Sequence, residues 1–153
     1  MKSSRKIDTC IAVERKCAEA YHALGNLFPE AKDLFEKIAQ DEVDHAAVLT
    51  VARLHYNEGK IPEEMIVPSS LAVINTSLVF LENMQRKIKD RSISLETALR
   101  LSVSLEETSA ESYFNQVMTG ESDSEIILGL KKLYLDEVSH LTVIKDFLKS
   151  RSL

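Results

Sequence analysis

Apolar side chains recur along this chain at three- and four-residue spacing in long runs, which is the period of amphipathic helices and not of strands. The first run extends from about Arg5 to Leu24, where Gly25-Asn26 offers a left-handed stop. Pro29 suits the first turn of a second helix, which reaches about Glu58 and ends at Gly59. Its inner stripe reads Phe35, Ile38, Glu42, His45, Leu49, Ala52. A connection follows from Gly59 to Ser70, with Pro62 and Pro68, and Leu71 to about Lys89 reads as a further, shorter helix within that crossover. Another helix starts near Ser94 and runs to Thr119, with Gly120 beyond it and the stripe Leu99, Val103, Glu106, Ala110, Tyr113, Val117. The last opens on Ser122-Asp-Ser-Glu125, a capping-box pattern, and presents Ile126, Leu130, Leu133, Glu137, His140, Ile144 and Phe147. The expected fold is all-α: one domain over residues 1–153, built as a four-helix bundle with a long crossover between its second and third long helices.

The two halves repeat each other. Glu14 to Tyr21 and Glu106 to Tyr113 both read E-x-x-x-A-E-x-Y, while Asp41 to His45 and Asp136 to His140 both read D-E-V-x-H. The separation from Glu14 to Glu42 is 28 residues, and from Glu106 to Glu137 it is 31. Two motifs recurring in the same order at near-equal spacing predict two equivalent helical hairpins about a pseudo-twofold axis.

Four acids interrupt these apolar stripes. Burying an ionised carboxylate alone costs several kcal/mol, and four together repel one another. The stripes contain no lysine or arginine to neutralise Glu14, Glu42, Glu106 and Glu137, whereas a pair of divalent cations would. In Glu-x-x-His the two residues lie ~300° apart around the helix and point to one spot. With the motif given twice and one more Glu from each remaining helix, the ligand set is Glu14, Glu42, His45, Glu106, Glu137 and His140, the set of the two-metal carboxylate helix bundles. Oxygen and imidazole donors without thiolate suit iron or manganese, or a mixed pair, better than structural zinc. His22 and His55 lack such partners, and Glu19, Glu107 and Glu111 fall off the stripe. Tyr21 and Tyr113, two turns beyond Glu14 and Glu106, are core aromatics with a hydrogen-bonded hydroxyl or, less often, redox-active groups or groups that touch the ligands.

Composition narrows the remaining classes. Glycine (4) and proline (3) are scarce, as long helices require. A net charge of −5 argues against a nucleic-acid binder, and the short basic run Arg86, Lys87, Lys89, Arg91 reads as a solvated helix face. With neither a signal-like apolar run nor an apolar stretch long enough for a membrane span, the expectation is a cytoplasmic protein with no membrane partner. Cys10 and Cys17 lie seven residues apart within one expected helix, ~10 Å, too far to bridge, and read as small core residues.

The doubled D-E-x-x-H with its two E-x-x-x-A-E-x-Y segments resembles the ferritin-like diiron superfamily, and rubrerythrin-type proteins lacking the rubredoxin domain most closely. The resemblance covers nearly the whole chain. It implies two irons bridged by Glu42 and Glu137, with Glu14 and Glu106 each capping one and His45 and His140 each binding one. The catalytic work of the four glutamates would be done through these metals. It also implies that Asp41 and Asp136 hold the imidazole N–H groups, each toward the other half, and that Tyr21 and Tyr113 lie just outside the ligands. The chain departs from the family in three respects. It lacks cysteines for a rubredoxin domain, it has Ser109 (Cys17 in the repeat-related place) where an additional glutamate is common, and its crossover is long and helical. Val43 stands where bacterioferritins carry a haem-binding methionine.

The activity this resemblance implies is reduction of hydrogen peroxide or dioxygen with electrons from a separate donor such as a rubredoxin, in a chain that could pair as a homodimer. The alternative is an iron-binding, ferroxidase or storage protein, which needs a large assembly. A diiron hydroxylase would need an apolar channel to the metals, and a metal-free interaction module would tolerate loss of all six ligands.

Overall fold

The computed structural model describes residues 3–67, 70–119 and 125–151, the side chains of 109–119 excepted. Among the described residues there is no strand. The helices are α1 (Arg5–Leu27), α2 (Lys32–Asn57), α3 (Glu63–Ile66), α4 (Leu71–Lys89), α5 (Leu95–Thr119) and α6 (Glu125–Arg151). The features expected at Pro68, Gly120 and Ser122 to Ser124, and at the side chains of Ser109, Ala110, Glu111, Tyr113 and Val117, lie outside the described residues.

Local chemistry sets the helix ends. Ser4 caps α1, its Oγ accepting the Ile7 N–H at 3.1 Å and donating to Glu63 Oε2 at 2.6 Å. The expected stop at Gly25-Asn26 does not occur, and α1 continues through Leu27. The break comes at Phe28, with φ −124° and ψ 85°, because the ring of Pro29 disfavours helical backbone in the residue before it. Gly25 instead lies buried inside α1. A Cβ there would sit 3.3 Å from Glu36 Oε1 and 3.6 Å from the Lys32 carbonyl, so its bare backbone lets the start of α2 close against α1. Pro29 opens a single 3-10 turn (Pro29–Ala31) and α2 begins only at Lys32. At the far end of α2, Gly59 adopts φ +75°. The Gly59 N–H bonds Tyr56 O and the Lys60 N–H bonds His55 O, both at 2.9 Å, closing the helix in a Schellman motif. Ser94 caps α5 by accepting the Thr97 N–H at 3.1 Å.

Packing follows the apolar stripes. α1 and α2 form one antiparallel hairpin, α5 and α6 a second, and α2 against α6 joins them. Residues 41 and 45 of α2 meet residues 140 and 136 of α6 in reversed order, so these two helices also run antiparallel. The crossover is more than a connection. It contains the one-turn α3, and α4 lies along α1 and reaches α5, burying Ile74, Leu81 and Met84. The core joins these to Ile7, Ile11, Leu24, Phe35, Leu49, Leu99 and Leu130, each fully buried side chain contributing about 1.5–3 kcal/mol. Cys10 and Cys17 are buried in this core. No helix among the described residues is long and apolar enough to cross a membrane.

Candidate metal centre

Each hairpin delivers its acids to one level of the bundle. Glu14 comes from α1, Glu42 and His45 from α2, Glu106 from α5, and Glu137 and His140 from α6, and none is more than 4% exposed. Their ligand atoms fall into two overlapping groups. One is Glu14, Glu42, His45 and Glu137; the other is Glu42, Glu106, Glu137 and His140; within each the donor atoms all lie within 4.8 Å of one another. Glu42 and Glu137 belong to both.

The histidines are held at both nitrogens. His45 Nδ1 faces Glu137 Oε1 at 3.0 Å, Glu42 Oε2 at 3.5 Å and Glu14 Oε2 at 3.7 Å. His140 Nδ1 faces Glu42 Oε1 at 3.3 Å and Glu106 Oε2 at 3.6 Å. On the outer side His45 Nε2 meets Asp136 Oδ2 at 3.0 Å, and His140 Nε2 meets Asp41 Oδ2 at 2.9 Å. An acceptor on Nε2 keeps the proton there and leaves Nδ1 as the free donor atom of a neutral ring. Tyr21, fully buried, donates its hydroxyl to Glu106 Oε1 at 2.6 Å, so the two oxygens of Glu106 divide between the phenol and the centre.

Without cations this cluster is electrostatically awkward. Burial, followed by the charges of neighbouring carboxylates, pushes Glu42 and Glu137 well above the usual carboxylate range. Burial raises Glu106 as well, but contacts from Glu137, His140 and Tyr21 outweigh it and hold Glu106 below that range. For the histidines burial opposes the charged form, yet the facing carboxylates win. His140 is pushed up to about 9, and His45 is raised further. Burial and the Glu106 charge keep Tyr21 a neutral donor, while burial and the four glutamates keep Cys17 a neutral thiol.

The donor set itself fits a pair of metal ions. Glu42 Oε1, Glu106 Oε2, both Glu137 oxygens and Nδ1 of His45 and His140 are buried with no hydrogen-bond partner. Each such atom costs about 1–3 kcal/mol, and all of them converge on the two shared groups. Oxygen and imidazole donors of this kind could hold metal ions.

The six expected ligands are thus brought together, with Asp41, Asp136 and Tyr21 around them; the side chain of Tyr113 lies outside the described residues. His22 is instead exposed and paired with Glu36 at 3.0 Å. Sequence reasoning missed Lys37 and Lys132, which bond Asp41 Oδ1 at 2.6 Å and Asp136 Oδ2 at 3.1 Å. A signal existed: the shared motif is K-x-x-x-D-E-V-x-H, with lysine four residues before the aspartate in both halves.

Compared with known proteins, the chain matches no family model, no curated protein and no solved structure.

Proposed function

We propose that this chain is a diiron protein of rubrerythrin type that reduces hydrogen peroxide or dioxygen with electrons from a separate donor. The observation that carries the reading is the pair of buried four-residue groups sharing Glu42 and Glu137, since these two groups would hold one ion each and the shared carboxylates would serve both. Bound iron would supply the electrons, cycling between its ferrous and ferric states.

The chain's own residues do the rest. Glu14 and Glu106 close the ends of the site, and His45 and His140 present Nδ1 inward because Asp136 and Asp41 hold their outer nitrogens. The Tyr21 hydroxyl donates its proton to Oε1 of Glu106, O to O 2.6 Å, on the side of that carboxylate turned away from the centre. Reduction of peroxide consumes two electrons and two protons and releases two waters, so a proton held at the ligands answers a requirement of the reaction. Surrounding apolar side chains exclude bulk water and keep the carboxylates responsive to the metals.

The test is to load the protein with ferrous iron without oxygen, count the iron and titrate with peroxide. Two irons per chain, oxidised stoichiometrically and re-reduced by a donor, are expected. Loaded protein that leaves peroxide untouched overturns the activity. Light scattering separates the storage alternative, which requires a large assembly.

A further inference from the structure

The repeat extends one turn beyond the ligands, and its extra residue is a lysine. Lys37 and Lys132 occupy the same place in the two halves and reach forward one helical turn to the aspartate that holds a histidine. The chain of contacts runs Lys37 Nζ to Asp41 Oδ1 at 2.6 Å, then Asp41 Oδ2 to His140 Nε2 at 2.9 Å. In the other half it runs Lys132 Nζ to Asp136 Oδ2 at 3.1 Å, then the same oxygen to His45 Nε2 at 3.0 Å. Both lysines are exposed while the aspartates are largely covered.

Exposed i,i+4 ion pairs usually contribute little to stability. These differ in what the carboxylate does next. An aspartate held only by a ring N–H can rotate about its side-chain bonds, and a second contact on its carboxylate removes that freedom. We infer that Lys37 and Lys132 are positioning residues that fix, through Asp41 and Asp136, the ring orientations of His140 and His45, each lysine acting on the histidine of the opposite hairpin. The inference rests on the metal-centre reading above. The two relays are unequal. Lys37 and His140 use different oxygens of Asp41, whereas Lys132 and His45 share one oxygen of Asp136. Two donors on one oxygen constrain the carboxylate less than one donor on each, so Lys37 has the larger effect.

Cobalt(II) in place of iron gives a readout independent of activity, because ring N–H protons of cobalt-bound histidines appear as separate, strongly shifted NMR signals. In the wild-type full chain two exchangeable signals are expected. Lys37→Met should speed solvent exchange of one of them about threefold to tenfold, Lys132→Met should speed the other by less, and Lys37→Arg should restore the first. Thermal unfolding of the metal-free variants should stay at the wild-type value. Both methionine variants affecting both signals equally, or neither affecting any, overturns the relay while leaving the metal centre intact. Wild-type protein that takes up no cobalt overturns the metal reading and the relay with it.

Discussion

His45 and Asp136 belong to opposite hairpins, 91 residues apart, and their side chains meet at 3.0 Å. The reciprocal contact, His140 with Asp41 across 99 residues, is 2.9 Å. Each hairpin therefore holds the outer nitrogen of the other's histidine. Replacing Asp136 by alanine should leave the fold in place and loosen the His45 ring, lowering metal affinity about 10- to 100-fold. Equilibrium dialysis against ferrous iron or cobalt checks this, and unchanged affinity would show that the contact is incidental.

Stability and metal binding should oppose one another at Glu137. Both of its oxygens are buried without hydrogen-bond partners, and replacing buried ionic groups by apolar residues often stabilises by about 1–4 kcal/mol. Glu137→Leu should raise the midpoint of urea unfolding in metal-free protein while lowering metal content at both positions. Glu14→Leu, which touches only one of the two groups, should lower the content of one. Elemental analysis beside the unfolding curves gives both answers.

Stability of the metal-free protein should fall as pH rises. In the folded chain His140 stands at about 9 against an ordinary 6.5. A raised histidine stabilises fully below the unfolded value and loses that contribution as pH climbs through the folded one. The window is therefore about pH 6.5 to 9, on the order of 3 kcal/mol from His140 alone. The raised Glu42, Glu137 and His45 act in the same direction. Metal must displace these protons, so affinity should rise over the same window. Urea unfolding at several pH values, with and without chelator, tests both slopes; metal-free protein that gains stability toward pH 9 would contradict the assignment.

Far from the centre, Arg91 ends α4 with φ +54°. Its N–H bonds Ile88 O at 3.1 Å and the Ser92 N–H bonds Lys87 O at 3.0 Å, the closure that Gly59 provides for α2. Left-handed backbone costs a side-chain-bearing residue about 1–2 kcal/mol, and a glycine gives back about 0.4–1 kcal/mol through the freer unfolded chain. Arg91→Gly should accordingly stabilise by about 0.5–1 kcal/mol with an unchanged urea m-value. A destabilised variant would mean that the arginine side chain makes a contribution its exposure does not suggest.

The helices and the six centre residues were legible because their signals are local or periodic: an acid in an apolar stripe stands out wherever the helix lies. What was not legible depended on neighbours. Gly25 reads as a stop in the sequence, yet it lies inside α1, where Lys32 and Glu36 of α2 approach its bare backbone. Proline was the stronger breaker, acting through Phe28. The burial of Ile74, Leu81 and Met84 against α1 could not be separated from an ordinary connecting helix, since apolar spacing tells which face is covered and not by what. Lys37 and Lys132 were readable in the repeat, but a lysine on an exposed turn carries meaning only once its aspartate is known to hold a histidine.

Because α2 carries both Asp41 and His45, a helix of this kind is complementary to itself. Two copies of the α1–α2 hairpin set about one twofold axis would bring Asp41 of each opposite His45 of the other, and would supply two Glu14, two Glu42 and two His45. The chain is in that sense a symmetric dimer made covalent, with residues 58–94 as its tether. Fusion releases the halves from identity: Cys17 can differ from Ser109, and the Lys37 relay from the Lys132 relay. A symmetric assembly would have to change both halves at once, whereas this one can tune each half of the centre separately.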